Sequence, residues 1–341
     1  MKQATMEKPG NIRFEDVAET PPGEGEVRIR VQQIGICGSD IHVWHGSHPF
    51  TPYPVIQGHE FMGVVDAVGP SVVNAPAIGT KVTALPQIVC GHCNPCKKGR
   101  FNICENLKVR GFQADGCGRE YYNIPAERLV VLPDDFSADQ GAFVEPVSVA
   151  VHSCNRAGDL KGRNVVVLGA GTIGNLIAQL AKARGAAKVL ITDIADYRLD
   201  VAKQCGVDYA VNTSRESLKE ATTAAFGDGG FDLAFEAAGV EASLASAVKC
   251  IEKGGMVLIV GVYGKPPVVD MGVVGEHEIV LAGSMMYWRD DWEEAVKLLA
   301  SSISIAPLVS KHFAFAEWPE AYRFIDKNGA STMKVMVDVQ S

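Results

Sequence analysis

An apolar leader is missing from the start of the chain, Met1-Lys2-Gln3-Ala4-Thr5, and the longest apolar stretch, Val165 to Ala181, is broken by glycine, asparagine and glutamine. Neither a secretory core nor a bilayer span is expected from such a pattern, so the chain is read as cytoplasmic and without a membrane partner. A basic surplus is also missing: 32 Lys and Arg stand against 40 Asp and Glu, a net charge of −8. Nucleic-acid binding needs a basic face that neutralises phosphates, which excludes that class of partner. Internal repeats and low-complexity segments are absent, and 47% hydrophobic residues exclude a disordered chain. With 341 residues the chain has the length of two domains at ~150 residues each.

Cysteine, by contrast, is well represented. Nine are present in a setting that gives no reason to expect disulfides, and Cys90, Cys93, Cys96 and Cys104 fall within fifteen residues. The spacing Cys-x2-Cys-x2-Cys-x7-Cys lets one loop wrap four thiolates around a tetrahedral ion and leaves no position for substrate. A structural zinc is therefore expected. An iron–sulfur module is the alternative, but bacterial ferredoxins close their run with a shorter spacing and a proline, whereas Glu105 follows Cys104. Cys117, Cys154, Cys205 and Cys250 are scattered and read as small core or surface residues.

The early part of the chain carries short β-branched runs punctuated by Gly and Pro, such as Val27-Arg28-Ile29-Arg30-Val31 and Gly63 to Val68. From Lys161-Gly162-Arg163 the pattern becomes buried strand, glycine turn and amphipathic helix, repeated, which predicts α/β structure with a parallel sheet. Val165 to Leu168, Val189 to Thr192, Phe231 to Glu236 and Met256 to Val260 are predicted strands. An acidic helix over Asp290 to Ala300 leads into a tail that ends in the strand-like Lys334 to Val339 and is read as returning to the first domain.

Gly169-Ala170-Gly171-Thr172-Ile173-Gly174 lies directly after one of these strands and opens a helix. In that context the first glycine makes the turn, the second admits a pyrophosphate and the third lets helix and strand pack closely, with the backbone at Thr172 and Ile173 at the helix N-terminus facing the phosphates. Asp193, 19 residues after Gly174, is placed to accept hydrogen bonds from both adenosine ribose hydroxyls, which favours NAD over NADP. Arg198 either stacks on adenine or offers a phosphate contact.

Upstream, Cys37 lies in Ile36-Cys37-Gly38-Ser39-Asp40-Ile41-His42, and His59-Glu60 follows. One thiolate, one imidazole and one carboxylate make three protein ligands, the number used by a catalytic zinc that keeps a position open. Gly58-His59-Glu60-x2-Gly63-x5-Gly69-x2-Val72 resembles the signature of zinc-containing alcohol dehydrogenases, in the medium-chain dehydrogenase/reductase superfamily. The four-cysteine loop resembles that family's structural zinc lobe, and the glycine fingerprint falls where the family places it. The resemblance covers essentially the whole chain.

It implies an α/β fold: a GroES-like, mostly-β catalytic domain over residues 1–147 with the zinc lobe at about 88–106, a Rossmann NAD-binding domain over 148–286, and a C-terminal return over 287–341. It implies two zinc ions per chain, NAD as cofactor, and a homotetramer or homodimer built through the cofactor domain's sheet edge. Within the family the chain looks most like the polyol branch typified by sorbitol (L-iditol) dehydrogenase. Glu145, in Val144-Glu145-Pro146-Val147-Ser148, matches a glutamate that reaches the catalytic zinc directly or through water. The resemblance further implies that Ser39 takes the alcohol proton and His42 passes it towards solvent, that Asp40 orients an imidazole ligand, and that the backbone at Val262 meets the nicotinamide amide. Trp44, Phe50, Tyr287 and Trp288 are implied as cleft walls or subunit-facing residues.

The implied activity is hydride transfer from a secondary alcohol, a polyol or sugar-derived compound, to NAD, and the reverse ketone reduction. L-threonine 3-dehydrogenase and a 2,3-butanediol-type enzyme are the alternatives, and a non-catalytic metal-binding protein is the remote one. The sequence departs from the family pattern at Asp115-Gly116-Cys117-Gly118-Arg119-Glu120-Tyr121. There, Arg119 either binds a substrate carboxylate or phosphate, as in a sugar acid or polyol phosphate, or is a solvated arginine.

Overall fold

The computed structural model describes residues 1–340. The chain opens with an antiparallel hairpin, β1 (Lys2–Lys8) and β2 (Asn11–Asp16), followed by β3 (Glu26–Ile36), α1 (Gly38–Trp44), β4 (Glu60–Val68) and β5 (Lys81–Ala84). The short pair β6 (Gln87–Ile88) and β7 (Lys108–Val109) brackets α2 (Asn94–Lys97), and β8 (Tyr121–Pro125) and β9 (Leu129–Val131) follow. In β3 the alternation of Val27, Ile29 and Val31 with polar residues puts the apolar side chains into one core. That period is why this stretch is a strand rather than a helix.

A long helix, α3 (Ala138–Ala157), leads into the cofactor half and runs across residues 147 and 148 without a break. Ser137 caps it by accepting from the N–H of Gln140, whose side chain accepts in turn from the Ser137 N–H. Beyond it come β10 (Asn164–Leu168), α4 (Thr172–Ala183), β11 (Lys188–Asp193), α5 (Asp196–Gln204), β12 (Tyr209–Asn212), α6 (Leu218–Phe226), β13 (Leu233–Glu236), α7 (Glu241–Cys250), β14 (Met256–Ile259), α8 (Met271–Glu276) and β15 (Val280–Gly283). Their six strands are all parallel, in the order β12-β11-β10-β13-β14-β15. The order reverses between β10 and β13, the crevice where doubly wound sheets bind ligands. Separate apolar clusters cover the two faces of this sheet, as strands buried on both sides require.

The chain then forms α9 (Arg289–Leu299), β16 (Val309–Ala314), α10 (Trp318–Asn328) and β17 (Lys334–Asp338). Here β17 pairs antiparallel with β3, Val335 opposite Ile36, in the sheet β16-β17-β3-β4-β5-β9, with β8 also on β3. The fold class is the one expected, a mostly-β domain joined to a doubly wound parallel sheet. Among the described residues no helix is long and apolar enough to cross a membrane.

Candidate active site

The register of the first sheet assembles the site. Cys37 follows the last residue of β3 and caps α1, while β4 begins at Glu60 directly opposite Gly35. One ligand atom from each of Cys37, His59 and Glu60 lies within 4.8 Å of the other two. His59 and Glu60 are buried. Asp40, in the first turn of α1, accepts the Cys37 N–H at 2.9 Å and turns its other oxygen to His59 Nδ1 at 3.6 Å, beyond hydrogen-bond length. That nitrogen has no hydrogen-bond partner. Behind Asp40, Gln57 donates to its backbone and side-chain oxygens, both at 3.3 Å, and the Tyr322 hydroxyl donates to Gln57 at 2.9 Å.

Glu60 is held from the far side of β3. Lys334, in β17, donates to both of its carboxylate oxygens, at 2.8 and 2.6 Å, and to the Ile36 carbonyl at 3.1 Å. The pair crosses at Gly35, where an added Cβ would lie 2.4 Å from the Glu60 carboxylate. Glu145, on α3, lies outside the three-residue cluster and accepts from the buried Tyr287 hydroxyl.

The charges in this pocket are out of balance. Burial pushes Glu145 up to about 7, the Glu60 charge adding to it against His59. Burial and Glu60 likewise raise the Cys37 thiol, and burial raises Asp40. In His59 burial opposes the charged ring, yet the Asp40 carboxylate and Cys37 carry it well above its ordinary value. A cation among these groups reverses that logic, holding the thiol and carboxylates ionised. The donor set of one sulfur, one nitrogen and one oxygen fits zinc with an open fourth position.

Each fingerprint glycine has a distinct reason in the fold. Gly169 has φ +101° and sits so close to the next loop that a Cβ would lie 2.8 Å from the Ala238 nitrogen. A Cβ on Gly174 would lie 1.8 Å from the Gly169 carbonyl oxygen, whereas at Gly171 the same space is open. An open cradle at the N-terminus of α4, beside Thr172 and Ile173, fits a dinucleotide's pyrophosphate. Asp193 ends β11, and its carboxylate accepts from the N–H groups of Ala170 (2.8 Å), Ile194 (2.8 Å) and Ala195 (2.9 Å). Arg198 approaches it at 3.8 Å and donates to the Gly329 carbonyl at 2.7 Å. Val262 is exposed on the loop after β14, its carbonyl against Gly239.

Cys90, Cys93, Cys96 and Cys104 bring their sulfurs within 4.8 Å of one another, with Cys93 to Cys104 at 3.9 Å and Cys104 to Cys90 at 3.5 Å. Four thiolates ~2.3 Å from a tetrahedral zinc stand roughly 3.8 Å apart, so the lobe fits that ion. None of the nine cysteines forms a disulfide. The N–H groups of Cys90 and Asn106 point at the Cys104 sulfur, at 3.3 and 3.4 Å.

Residues 23–134 match the family described as the alcohol dehydrogenase GroES-like domain, and residues 172–301 match the zinc-binding dehydrogenase family. An L-threonine 3-dehydrogenase of Marinomonas is 34% identical over 317 residues, covering 91% of this chain and 92% of that one. A zinc-binding dehydrogenase of Sinorhizobium meliloti solved with NADP superposes with a TM-score of 0.90 at 30% identity, over 99% of both chains. Galactitol-1-phosphate dehydrogenase of Escherichia coli gives a TM-score of 0.90 at 30% identity, over 99% of this chain and 100% of that one.

The chain belongs to the zinc-containing alcohol dehydrogenase family. It is an NAD(P)-dependent zinc dehydrogenase of alcohols, built as a GroES-like domain and a Rossmann domain.

Several residues of this dehydrogenase that shape the site escaped the sequence. Lys334 and Gln57 carried no motif. Neither did Phe112, which packs on the His59 ring at 4.9 Å and stacks on His48 at the same distance. The buried Glu236 was also missed; it ends β13 and accepts from the N–H groups of Ala238 and Gly239 and from the Ser243 and Tyr263 hydroxyls, fixing the loops beside the glycine turn.

The aromatic residues expected as walls divide. Trp44 is a core residue stacked on Tyr322 at 4.9 Å, and Tyr287 is fully buried against Glu145. Trp288 stacks on Phe101 of the cysteine lobe at 4.5 Å, and Phe50 is 73% exposed. Arg119 pairs with Asp115 at 3.0 Å and lines a cavity that none of Cys37, His59 and Glu60 borders.

Proposed function

We propose that this dehydrogenase oxidises a secondary alcohol of the polyol or sugar-derived class with NAD and reduces the ketone in reverse. The observation that carries the reading is the cluster of half-buried Cys37 with buried His59 and Glu60, and a second carboxylate, Glu145, beside it. Held there, zinc supplies the Lewis acidity that draws a hydroxyl's pKa down towards ~7, while the hydride chemistry belongs to the nicotinamide. Ser39 and His42 stand three residues apart on α1, on one face of the helix. Ser39 is half-buried and takes the alcohol proton at its hydroxyl oxygen; His42 is exposed and passes it to water. Asp40 holds the Cys37 backbone in place and turns its other oxygen towards the His59 ring, as a partner orienting that imidazole once it ligates the metal.

On the cofactor side, the Asp193 side chain receives the ribose hydroxyls and disfavours a 2′-phosphate, which supports NAD over NADP. Arg198 braces that carboxylate, and the backbone at Val262 takes the nicotinamide amide. A second, structural zinc sits in the cysteine lobe. The enzyme is a cytoplasmic homotetramer or homodimer joined through the free edge of β15, where Val280 is 45% exposed.

A second reading, L-threonine oxidation, rests on the 34% identity to a dehydrogenase of that name. An amino-acid substrate needs a cation for its carboxylate, and Arg119 is already paired with Asp115 at 3.0 Å.

Initial rates of NAD reduction over polyols, sugar acids, polyol phosphates, 2,3-butanediol and L-threonine, with and without a zinc chelator, decide between them. Chelator-sensitive turnover with kcat/KM at least about tenfold higher on a polyol than on L-threonine is expected, ~1.4 kcal/mol of discrimination. L-threonine as the best substrate would replace the reading with the second one, and absence of NADH binding would remove the cofactor argument.

A further inference from the structure

We propose that Tyr287 is a positioning residue for Glu145, and that the cysteine lobe sets it in place by gripping the strap Met285–Trp288 that carries it. The proposal rests on the reading of Cys37, His59 and Glu60 as a zinc site with Glu145 beside it. Among the described residues the Tyr287 phenol is the one hydrogen-bond donor to the Glu145 carboxylate. Both side chains are buried, so a carboxylate deprived of the phenol loses a partner that bulk water does not replace. An oriented carboxylate next to a metal site is worth as much to the chemistry as the ligands it supports.

The strap follows β15, and its backbone is held in an unusual shape. Met286 has φ +49°, a left-handed conformation that a side chain of this kind takes up only where its surroundings impose it. Those surroundings are the cysteine lobe. The side-chain amide of Asn102, two residues before Cys104, donates to the Met285 carbonyl at 2.8 Å. That of Gln87, three residues before Cys90, donates to the Tyr287 carbonyl at 3.0 Å. The carbonyls on either side of Met286 are thus both held, and Phe101 stacks on Trp288 one residue further on. Asn102 also lies 3.3 Å from the Nε2 of His152, which stands seven residues after Glu145 on α3, two helical turns away on the same face. One residue of the lobe therefore touches both the strap that carries the phenol and the helix that carries the carboxylate, so the bond between them is set from the lobe.

The test uses the enzyme with zinc in the lobe and cobalt(II) at Cys37, His59 and Glu60, where visible absorption reports the metal's surroundings. Y287F, N102A, the double variant and E145Q are compared with the parent by cobalt spectrum, metal content and alcohol turnover. Y287F and N102A are each expected to keep both ions and to shift the cobalt bands in the same direction. Y287F is expected to lower kcat about tenfold or more and N102A by less, with KM for NAD within about twofold of the parent. Because Asn102 acts through Tyr287, the double variant is expected to match Y287F alone within about twofold, whereas a lobe residue that served stability only would add its own loss. Q87L, which frees the other carbonyl, takes the place of N102A if that variant sheds the lobe zinc. A cobalt spectrum altered by E145Q but not by Y287F would overturn the proposal and leave the zinc-site reading standing. A spectrum unchanged in E145Q as well would remove Glu145 from the site, and the proposal with it. Additive losses in the double variant would overturn the lobe's part.

Discussion

With no side chain at Gly35, the Glu60 carboxylate reaches across β3 to the ammonium of Lys334, and both charges are buried. Removing one member of such a pair strands the other. Lys334→Met is therefore expected to cost about 3–5 kcal/mol in urea unfolding of the zinc-loaded enzyme; a loss under about 1 kcal/mol would mean the pair is not buried in solution. At the cofactor site, the charge on Asp193 is what opposes a 2′-phosphate under the proposed reading. Asp193→Asn is expected to raise KM for NAD about tenfold and to narrow the NAD-over-NADP preference by a similar factor. Steady-state kinetics with both cofactors checks this, and an unchanged preference would place discrimination elsewhere. Neither Lys334 nor Gly35 was legible in the sequence as a site residue. Their contact is created by the register of β3, β4 and β17 and joins positions 274 residues apart, which no local spacing encodes. Cys37, His59 and Glu60 were readable through resemblance, because Gly58-His59-Glu60 and the glycines after it match a family signature, whereas Cys37, well upstream, carries no local pattern of its own.

Among the elements, those with strong period and glycine punctuation were readable. The strands predicted at Val165–Leu168 and Val189–Thr192 appear as β10 and β11, and the acidic helix at Asp290–Ala300 appears as α9. The tail was expected to return to the first domain, but the strand it joins was beyond any local signal: β17 pairs with β3 and carries β16 on its other side, which is decided by the partner strand. The N-terminus of α9 also carries a pH dependence. Asp291 accepts from His152 (3.0 Å), Asn155 (2.9 Å) and the Trp288 N–H (2.8 Å). Burial pushes its carboxyl up, but these donors win and hold it below the ordinary 3.8. A carboxyl lowered by folding adds stability above its unfolded value and loses it as pH falls through the folded one. Asp291→Asn is thus expected to cost about 1–2 kcal/mol at neutral pH, with the difference from the parent shrinking once the pH drops below the ordinary carboxylate range. Urea midpoints across pH check it, and a gap that widens in acid would contradict it.

At the scale of the whole molecule, the cysteine lobe is a contact between the two halves. Asn102 donates to the Met285 carbonyl at 2.8 Å and lies 3.3 Å from the His152 ring of α3, while Phe101 stacks on Trp288 just after the cofactor domain. On the two-zinc reading, Cys96→Ser is expected to lower bound zinc from two ions to about one per chain and to destabilise the enzyme by several kcal/mol, since a structural zinc contributes folding energy directly. Elemental analysis and thermal unfolding test this together; two zinc ions retained in the variant would remove the lobe from the metal count.

The ammonium that balances Glu60 also sets an order in time. A ribosome adding about 5–20 residues per second needs roughly 14–55 seconds to go from Glu60 to Lys334, 274 residues on. Throughout that interval the nascent chain carries Cys37, His59 and Glu60 beside an unpaired edge of β3. A newborn chain thus presents metal-binding groups well before it holds the counter-charge and the strand that seal them, and the enzyme's vulnerability to the wrong ion or the wrong strand is greatest while it is being made.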